Sequence, residues 1–302
     1  MLVGGSPAMQ ALRAQIKRVA ATDCNVLITG ETGTGKELVA QLIHQNSARS
    51  KHPMICINCA AIPDTLLESE LFGYERGAFT GAGAANQGKL MAANQGTVFF
   101  DEVGDMSPSA QAKVLRAIET KEVQRLGSTR RFDTDIRIMA ATHHNLDTLT
   151  TPETFRRDLY FRLNVGRIYL PPLRERKADI ADLVERMIPE LNKKLARRIE
   201  GVTGSAIRAL VHYDWPGNVR ELKNVVERTF ITRDTGRISE EDVSSILPSK
   251  PPPKSVTGVD SELMCLQEAL MHCNGNKSKA AEALNCSRMT LYRKLAKYQV
   301  SV

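Results

Sequence analysis

The stretch Asn25 to Lys36, NVLITGETGTGK, constrains this chain more than any other. Val26 to Thr29 is a short apolar segment of strand type. Gly30-Glu31-Thr32-Gly33-Thr34-Gly35-Lys36 is a glycine-punctuated loop of GxxxxGK spacing, and a helical run begins at Glu37. Strand, loop and helix in that order are the context in which the pattern carries meaning. The glycines let successive backbone N–H groups turn inward around phosphate oxygens. The helix start adds the positive end of its dipole, and Lys36 supplies a compact charge to the outer phosphates. A glycine-rich turn with no ligand would need neither the lysine nor its flanks, so the residues of this loop are expected to hold ATP.

Most loops of this kind follow the lysine with Ser or Thr to hold magnesium, and this chain has Glu37 there. Another group must take that role. Val98-Phe99-Phe100-Asp101-Glu102 is an apolar strand ending in two acids, which predicts Asp101 as the support for Mg2+ and Glu102 as the base that orients and deprotonates water.

The rest of the chain organises around this site. Met54 to Ile57, Thr97 to Phe100 and Ile136 to Ala141 join Val26 to Thr29 as expected buried strands of a parallel sheet, with helices between them. That is an α/β core. After Pro171 and Pro172 the pattern turns helical over Asp179 to Arg198, Gly204 to Tyr213 and Asn218 to Thr232, with no further strand expected. The basic run Lys193 to Arg198 reads as the solvated side of a helix. Pro248 to Gly258, PSKPPPKSVTG, has the composition of an extended linker. The expected division is 1–170 for the α/β subdomain, 171–247 for a helical lid, 248–258 for the linker and 259–302 for a small all-α domain.

In that last segment Glu262 to His272, Lys277 to Leu284 and Ser287 to Tyr298 are helical by period, and the tight Asn285-Cys286 junction gives helix-turn-helix geometry. Ser287 is a good N-cap. Leu291 and Leu295 must face inward, which leaves Arg288, Thr290, Arg293, Lys294 and Lys297 to meet DNA. Six basic residues and one acid lie between Lys277 and Lys297, so the net charge of +7 is concentrated here.

Of the six cysteines only Cys56 and Cys59 stand in CxxC spacing, with no second pair to complete a zinc site, so reduced and mostly buried thiols are expected. No apolar run approaches a membrane span, and the start MLVGGSPAMQ lacks a signal core. A cytoplasmic protein with no membrane partner is the expectation.

Between the glycine loop and the paired acids lies Glu70-Leu71-Phe72-Gly73-Tyr74-Glu75-Arg76-Gly77-Ala78-Phe79-Thr80-Gly81-Ala82. Read alone, it is a glycine-flanked loop presenting one aromatic near the nucleotide. With its GAFTGA hexapeptide the chain resembles the bacterial enhancer-binding proteins, the sigma-54-dependent activators of AAA+ type. The resemblance runs from Leu2-Val3-Gly4 through Asn58-Cys59-Ala60-Ala61, Phe155-Arg156, LPPLRER at Leu170 to Arg176, and WPGNVREL at Trp215 to Leu222, to the C-terminus.

That resemblance implies a set of roles. Gly77, Ala78, Phe79, Thr80, Gly81 and Ala82 would form the loop that contacts sigma-54, with Phe79 and Thr80 as its touching residues. Asn58 would be the polar switch that keeps the catalytic glutamate from water. Arg156 and Arg162 would reach the neighbouring subunit's ATP, with Arg157 between them less certain, and Arg220 would sense nucleotide from the lid. At the first sensor the family usually has Asn after Thr142, and here His143 stands there, able to hydrogen-bond a phosphate with a charge that depends on pH. Arg288 to Leu295 is similar to the Fis-type DNA-binding domain.

The implied partners are sigma-54 RNA polymerase, enhancer DNA and further copies of the chain, in a ring expected to be a hexamer with a dimer as resting form. Two other readings compete: a DNA-binding repressor with a nucleotide-sensing scaffold, and an AAA+ unfoldase for another client. A scaffold has little need of Glu102 with trans arginines, and an unfoldase has none of GAFTGA with a DNA-reading module. Family members usually carry an N-terminal regulatory domain, which leaves open a naturally short activator or a fragment.

Overall fold

The computed structural model describes residues 2–146 and 154–247. Five parallel strands form the central sheet: β1 (Val26–Thr29), β2 (Met54–Asn58), β3 (Thr97–Asp101), β6 (Arg137–Thr142) and β7 (Gly166–Tyr169), in the order β2-β3-β6-β1-β7. The two-residue period of a strand sends alternate side chains to opposite faces. Leu27, Ile57, Val98, Phe100, Ile138 and Ala140 enter one apolar core. Val26, Ile28, Phe99, Met139, Ala141 and Ile168 enter the other. Both faces are covered, which is why these strands read as continuous apolar runs.

The first core packs against α3 (Asp64–Phe72), α5 (Pro108–Thr120) and α6 (Arg157–Leu163), and the second against α1 (Pro7–Ala20) and α2 (Lys36–Gln45). Helix α1 begins at Ser6, whose hydroxyl accepts from the Met9 amide, with Pro7 at the first helical position, and it buries Met9, Leu12, Ile16 and Ala20 at helical spacing. A one-turn helix α4 (Lys89–Ala92) precedes β3, and a hairpin of β4 (Glu122–Gln124) and β5 (Arg131–Asp133) leads into β6.

Parallel register brings the strand ends to one edge. Thr29 pairs with Thr142 and with Tyr169, and Asn58 pairs with Asp101. The glycine loop leaves β1 between its neighbours β6 and β7, so the crevice beyond the carboxyl ends is where a ligand belongs in an open α/β sheet.

The lid holds α7 (Ile180–Leu195), α8 (Gly204–His212), α9 (Asn218–Thr232) and α10 (Glu240–Ile246) around a separate core. Trp215 is wholly buried there, and its indole N–H donates to the Leu210 carbonyl at 2.8 Å.

Three expectations are corrected here. The lid is not purely helical: β8 (Arg198–Val202) and β9 (Thr235–Ile238) pair in parallel, with an irregularity between Ile199 and Gly201. The basic run Lys193 to Arg198 does not stay on a helix. The helix stops at Leu195, Ala196 takes a left-handed φ of 52°, Arg197 pairs with Asp234, and Arg198 opens β8. Among the described residues the thiols are not mostly buried: Cys59 is buried, Cys24 is half-buried and Cys56 is exposed. Strand β7 joins the sheet edge without having been anticipated.

No helix among the described residues is long and apolar enough to cross a membrane. The linker, the helix-turn-helix with Ser287, Arg288, Thr290, Arg293, Lys294 and Lys297, and Cys265, Cys273 and Cys286 lie outside the described residues.

Candidate nucleotide site and sigma-facing loop

The glycine loop turns through left-handed backbone at Gly33 (φ 79°) and Gly35 (φ 105°) before α2 begins at Lys36. Gly33 is required twice over, because a Cβ there would also sit 2.3 Å from the Gly217 carbonyl of the lid. Lys36 is almost fully buried; its ammonium donates to the Gly30 carbonyl at 3.0 Å and lies 3.2 Å from Glu102 Oε1.

Asp101 ends β3, and Glu102 follows in a left-handed conformation, φ 51° and ψ 52°, uncommon for a residue with a side chain. Such outliers persist where the surroundings over-determine them. Here the surroundings are Lys36 on one carboxylate oxygen and His143 on the other. The His143 backbone N–H donates to Glu102 Oε2 at 3.1 Å, and its ring Nδ1 lies 2.6 Å from the same oxygen. An ionised carboxylate can only accept, so Nδ1 carries the proton in this contact.

Burial works to raise the Glu102 carboxyl, but the His143 hydrogen bonds and the Lys36 charge overcome it and hold the group below its ordinary value. Its neighbour Asp101 goes the other way, raised by burial and by the Glu102 charge against the pull of Lys36, with Glu37 adding further repulsion. The two acids of one strand end are thereby pushed apart in basicity. The His144 ring packs against that of His143 at a tilt of 39° with ring centres 3.9 Å apart, and its Nε2 lies 3.0 Å from Asp105.

Asn58 lies beside Asp101 in register, yet its Oδ1 accepts from the amides of Ala60 (3.0 Å) and Ala61 (3.2 Å), closing its own turn. The structure therefore brings Lys36, Glu102 and His143 together and leaves Asn58 in a local arrangement.

Among the described residues no group of three or more His, Cys, Asp or Glu could hold a metal by itself. Magnesium does not require such a cage, since it keeps waters and commonly binds through one or two carboxylates with substrate phosphates. The donor chemistry suits it: Asp101 and Glu37 repel one another across the loop mouth, an arrangement a divalent cation relieves.

The lid reaches the loop through groups that the sequence reading did not single out. Asn218 is wholly buried in a left-handed conformation, φ 52°. Its Oδ1 accepts from the Leu173 amide at 2.8 Å, while its Nδ2 donates to Glu31 Oε2 at 3.2 Å and to the Thr32 carbonyl at 3.0 Å. Arg174 grips Glu31 with two bonds of 2.7 and 2.6 Å. Arg176, buried, donates to the Thr34 carbonyl at 3.2 Å. All three stand in LPPLRER and WPGNVREL, so their motifs were visible while their targets were not. Arg220 donates from its backbone to the Gly33 carbonyl at 3.3 Å and keeps its side chain exposed.

Arg156 caps the start of α6 and Arg162 lies in its last turn, both exposed at the surface. Arg156 pairs with Asp158 at 2.8 Å, which raises its already high basicity, and Arg162 pairs with Glu119 at 3.1 Å. Their guanidinium groups are held by acids of their own neighbourhood and not by Lys36 or Glu102.

The loop Gly77 to Ala82 closes on itself, the Gly77 amide donating to the Ala82 carbonyl and the Ala82 amide to that of Phe79. Gly77 and Gly81 have φ of 81° and 104° with open space where a Cβ would stand, so conformation and not packing demands glycine there. Phe79 is 42% exposed, with its ring 4.9 Å from that of Tyr74. Below it, the Glu75 amide donates to the Leu126 carbonyl and Arg125 pairs with Glu75 at 3.0 Å, which ties the loop base to the chain between β4 and β5.

A parallel α/β core, a glycine loop at its switch point, paired acids at β3 and a lid on the loop define an AAA+ P-loop module. Residues 2–169 match the sigma-54 interaction domain, 174–258 the AAA+ ATPase lid domain and 259–298 the bacterial regulatory protein, Fis family. The chain belongs to the sigma-54-dependent transcription activators, with a Fis-family helix-turn-helix for DNA. It is 45% identical over 303 residues to the transcriptional regulatory protein ZraR of Klebsiella oxytoca, covering 98% of this chain and 68% of that protein. It is 45% identical over 274 residues to the Nif-specific regulatory protein of Azotobacter vinelandii, covering 91% of this chain and 50% of that one. The crystal structure of NtrX from Brucella abortus in complex with ATP matches with TM-score 0.73 and 34% identity, over 99% of this chain and 69% of NtrX. The NtrX complex with ADP gives TM-score 0.74 and 33% identity over the same shares.

Proposed function

We propose that this activator hydrolyses ATP in a ring of its own copies and uses each turnover to remodel sigma-54 polymerase bound at a promoter. One observation carries the hydrolytic part: Glu102, an ionised carboxylate held below its ordinary basicity, faces the phosphate-binding Lys36 across 3.2 Å. ATP binding draws Lys36 onto the outer phosphates and frees Glu102 Oε1. Water held there loses a proton to Glu102 as its oxygen bonds the γ-phosphorus, and the bond to the β–γ bridging oxygen breaks, leaving ADP and phosphate. Asp101, with Glu37 nearby, would hold Mg2+, which neutralises phosphate charge when bound. Arg156 and Arg162 would each cross to a neighbour's ATP, where an arginine in trans is worth roughly 10³ to 10⁵ in rate. Arg220 would report the nucleotide to the lid.

The mechanical part rests on the loop Gly77 to Ala82. Its single-aromatic tip and its tie to the β4–β5 connection support a segment that moves as one piece and presents Phe79 and Thr80 to sigma-54. The Fis-type segment would hold the ring near the promoter on enhancer DNA, in the cytoplasm where polymerase works. Open-complex formation on a sigma-54 promoter tests the reading: ATP should support it and a non-hydrolysable analogue should not. Equal activation by both nucleotides would refute hydrolysis as the driver.

A further inference from the structure

We propose that Arg174, reaching from the start of the lid, masks the charge of Glu31 in the glycine loop and thereby sets how tightly that loop holds ATP. The proposal rests on the reading of the loop as the ATP site and names what the lid contributes to affinity there.

Glu31 is the second residue of GETGTGK, so the loop carries a carboxylate among the amides that are to face phosphate oxygens. Like charges at this range repel, and an unmasked carboxylate would oppose the ligand. Here both of its oxygens are occupied. Arg174 donates from Nη1 to Oε2 at 2.7 Å and from Nη2 to Oε1 at 2.6 Å, and Asn218 donates from Nδ2 to Oε2 at 3.2 Å. A two-pronged guanidinium fixes the plane of a carboxylate as well as offsetting its charge. The hydrogen bonds to Glu31 in return raise the already high basicity of Arg174.

The mask belongs to the lid. Arg174 lies in the single turn Leu173–Glu175, and the Leu173 amide donates to Asn218 Oδ1 at 2.8 Å. The buried Asn218 therefore anchors the turn that carries Arg174 while also bonding Glu31 itself. Around this pair the Arg220 amide donates to the Gly33 carbonyl and Arg176 to the Thr34 carbonyl, which keeps the lid seated on the loop. Lys36 is engaged elsewhere, with the Gly30 carbonyl and Glu102, so Arg174 acts on binding and not on the chemical step. Arg174 and Glu31 keep 40% and 41% of their side chains exposed, so solvent screens the pair and its effect on affinity is graded.

Equilibrium binding of a fluorescent ATP analogue with Mg2+, beside steady-state ATPase kinetics, tests the assignment on the full chain. Arg174→Ala should weaken binding and raise KM by roughly fivefold, the scale of one solvent-screened charge interaction, with kcat within about twofold of wild type. Arg174→Lys keeps the charge and loses the fork, and should lose less than Arg174→Ala. The deciding comparison is the same substitution made in Glu31→Gln. With the carboxylate charge gone there is nothing to mask, so Arg174→Ala should then change affinity by less than about twofold. An Arg174→Ala variant that binds as wild type does would overturn the proposal. So would an equal loss in both backgrounds, since the arginine would then act on phosphate itself or only on the fold. Lys36→Ala in the same series separates the two levels. If that variant binds the analogue normally, the reading of the glycine loop fails; if it loses binding while Arg174→Ala keeps it, only the masking role fails.

Discussion

Lys36 Nζ and Glu102 Oε1 stand 3.2 Å apart with 6% and 16% of their side chains exposed, so the glycine-loop cation and the acid after β3 neutralise one another. On the proposed hydrolytic reading, the pair would keep Glu102 a weak base until a competing anion takes the lysine.

Glu102→Gln removes the proposed base and, with it, the negative charge that neutralises Lys36. ATP should bind at least as well as in wild type, and kcat should fall by roughly 10² to 10⁴, the usual contribution of general base catalysis. Equilibrium binding beside a phosphate-release assay checks both halves.

Asn218→Ala should destabilise the fold without touching the chemistry directly. It strips a buried side chain that satisfies the Leu173 amide and the Thr32 carbonyl and puts Ala in a left-handed conformation. Leaving a buried donor unsatisfied costs about 1–3 kcal/mol. A thermal melt should show a lower midpoint, and added ATP should recover part of it by mass action.

If Arg156 and Arg162 act across subunits, each exists for its neighbour's site. Specific ATPase activity should rise steeply with protein concentration, and Arg156→Ala or Arg162→Ala should depress the plateau without shifting nucleotide affinity in dilute protein. Activity flat across the range in which the ring dissociates, followed by light scattering, would argue against it.

On the DNA side, Arg288→Ala and Arg293→Ala should change which sites are preferred, whereas Lys297→Ala should weaken all sites alike and reduce the salt dependence of binding. Competition between specific and random duplexes at two salt concentrations reads both effects.

The sequence carried the core of this architecture because two-sided burial forces continuous apolar runs, and because GxxxxGK and the Asp101-Glu102 strand end are chemically specific. It was silent on β8 and β9 for a physical reason: Arg198 to Val202 and Thr235 to Ile238 bury little beyond Ile199 and Ile238, and an irregular register erases any two-residue period. The partners of Glu102 were only half legible. Position placed His143 after β6, but which carboxylate it would meet depends on the left-handed turn at Glu102. Asn218 reads as a helix start in WPGNVREL, and its bonds to Leu173 and Thr32 span stretches too distant for any local pattern to reveal.

The central claim joins ATP turnover to a push delivered through Gly77 to Ala82, and Thr80→Ala separates the two. Open-complex formation by sigma-54 polymerase with ATP should be lost in Thr80→Ala while its ATPase rate stays within about twofold of wild type. Thr80→Ala activating as well as wild type would contradict the account.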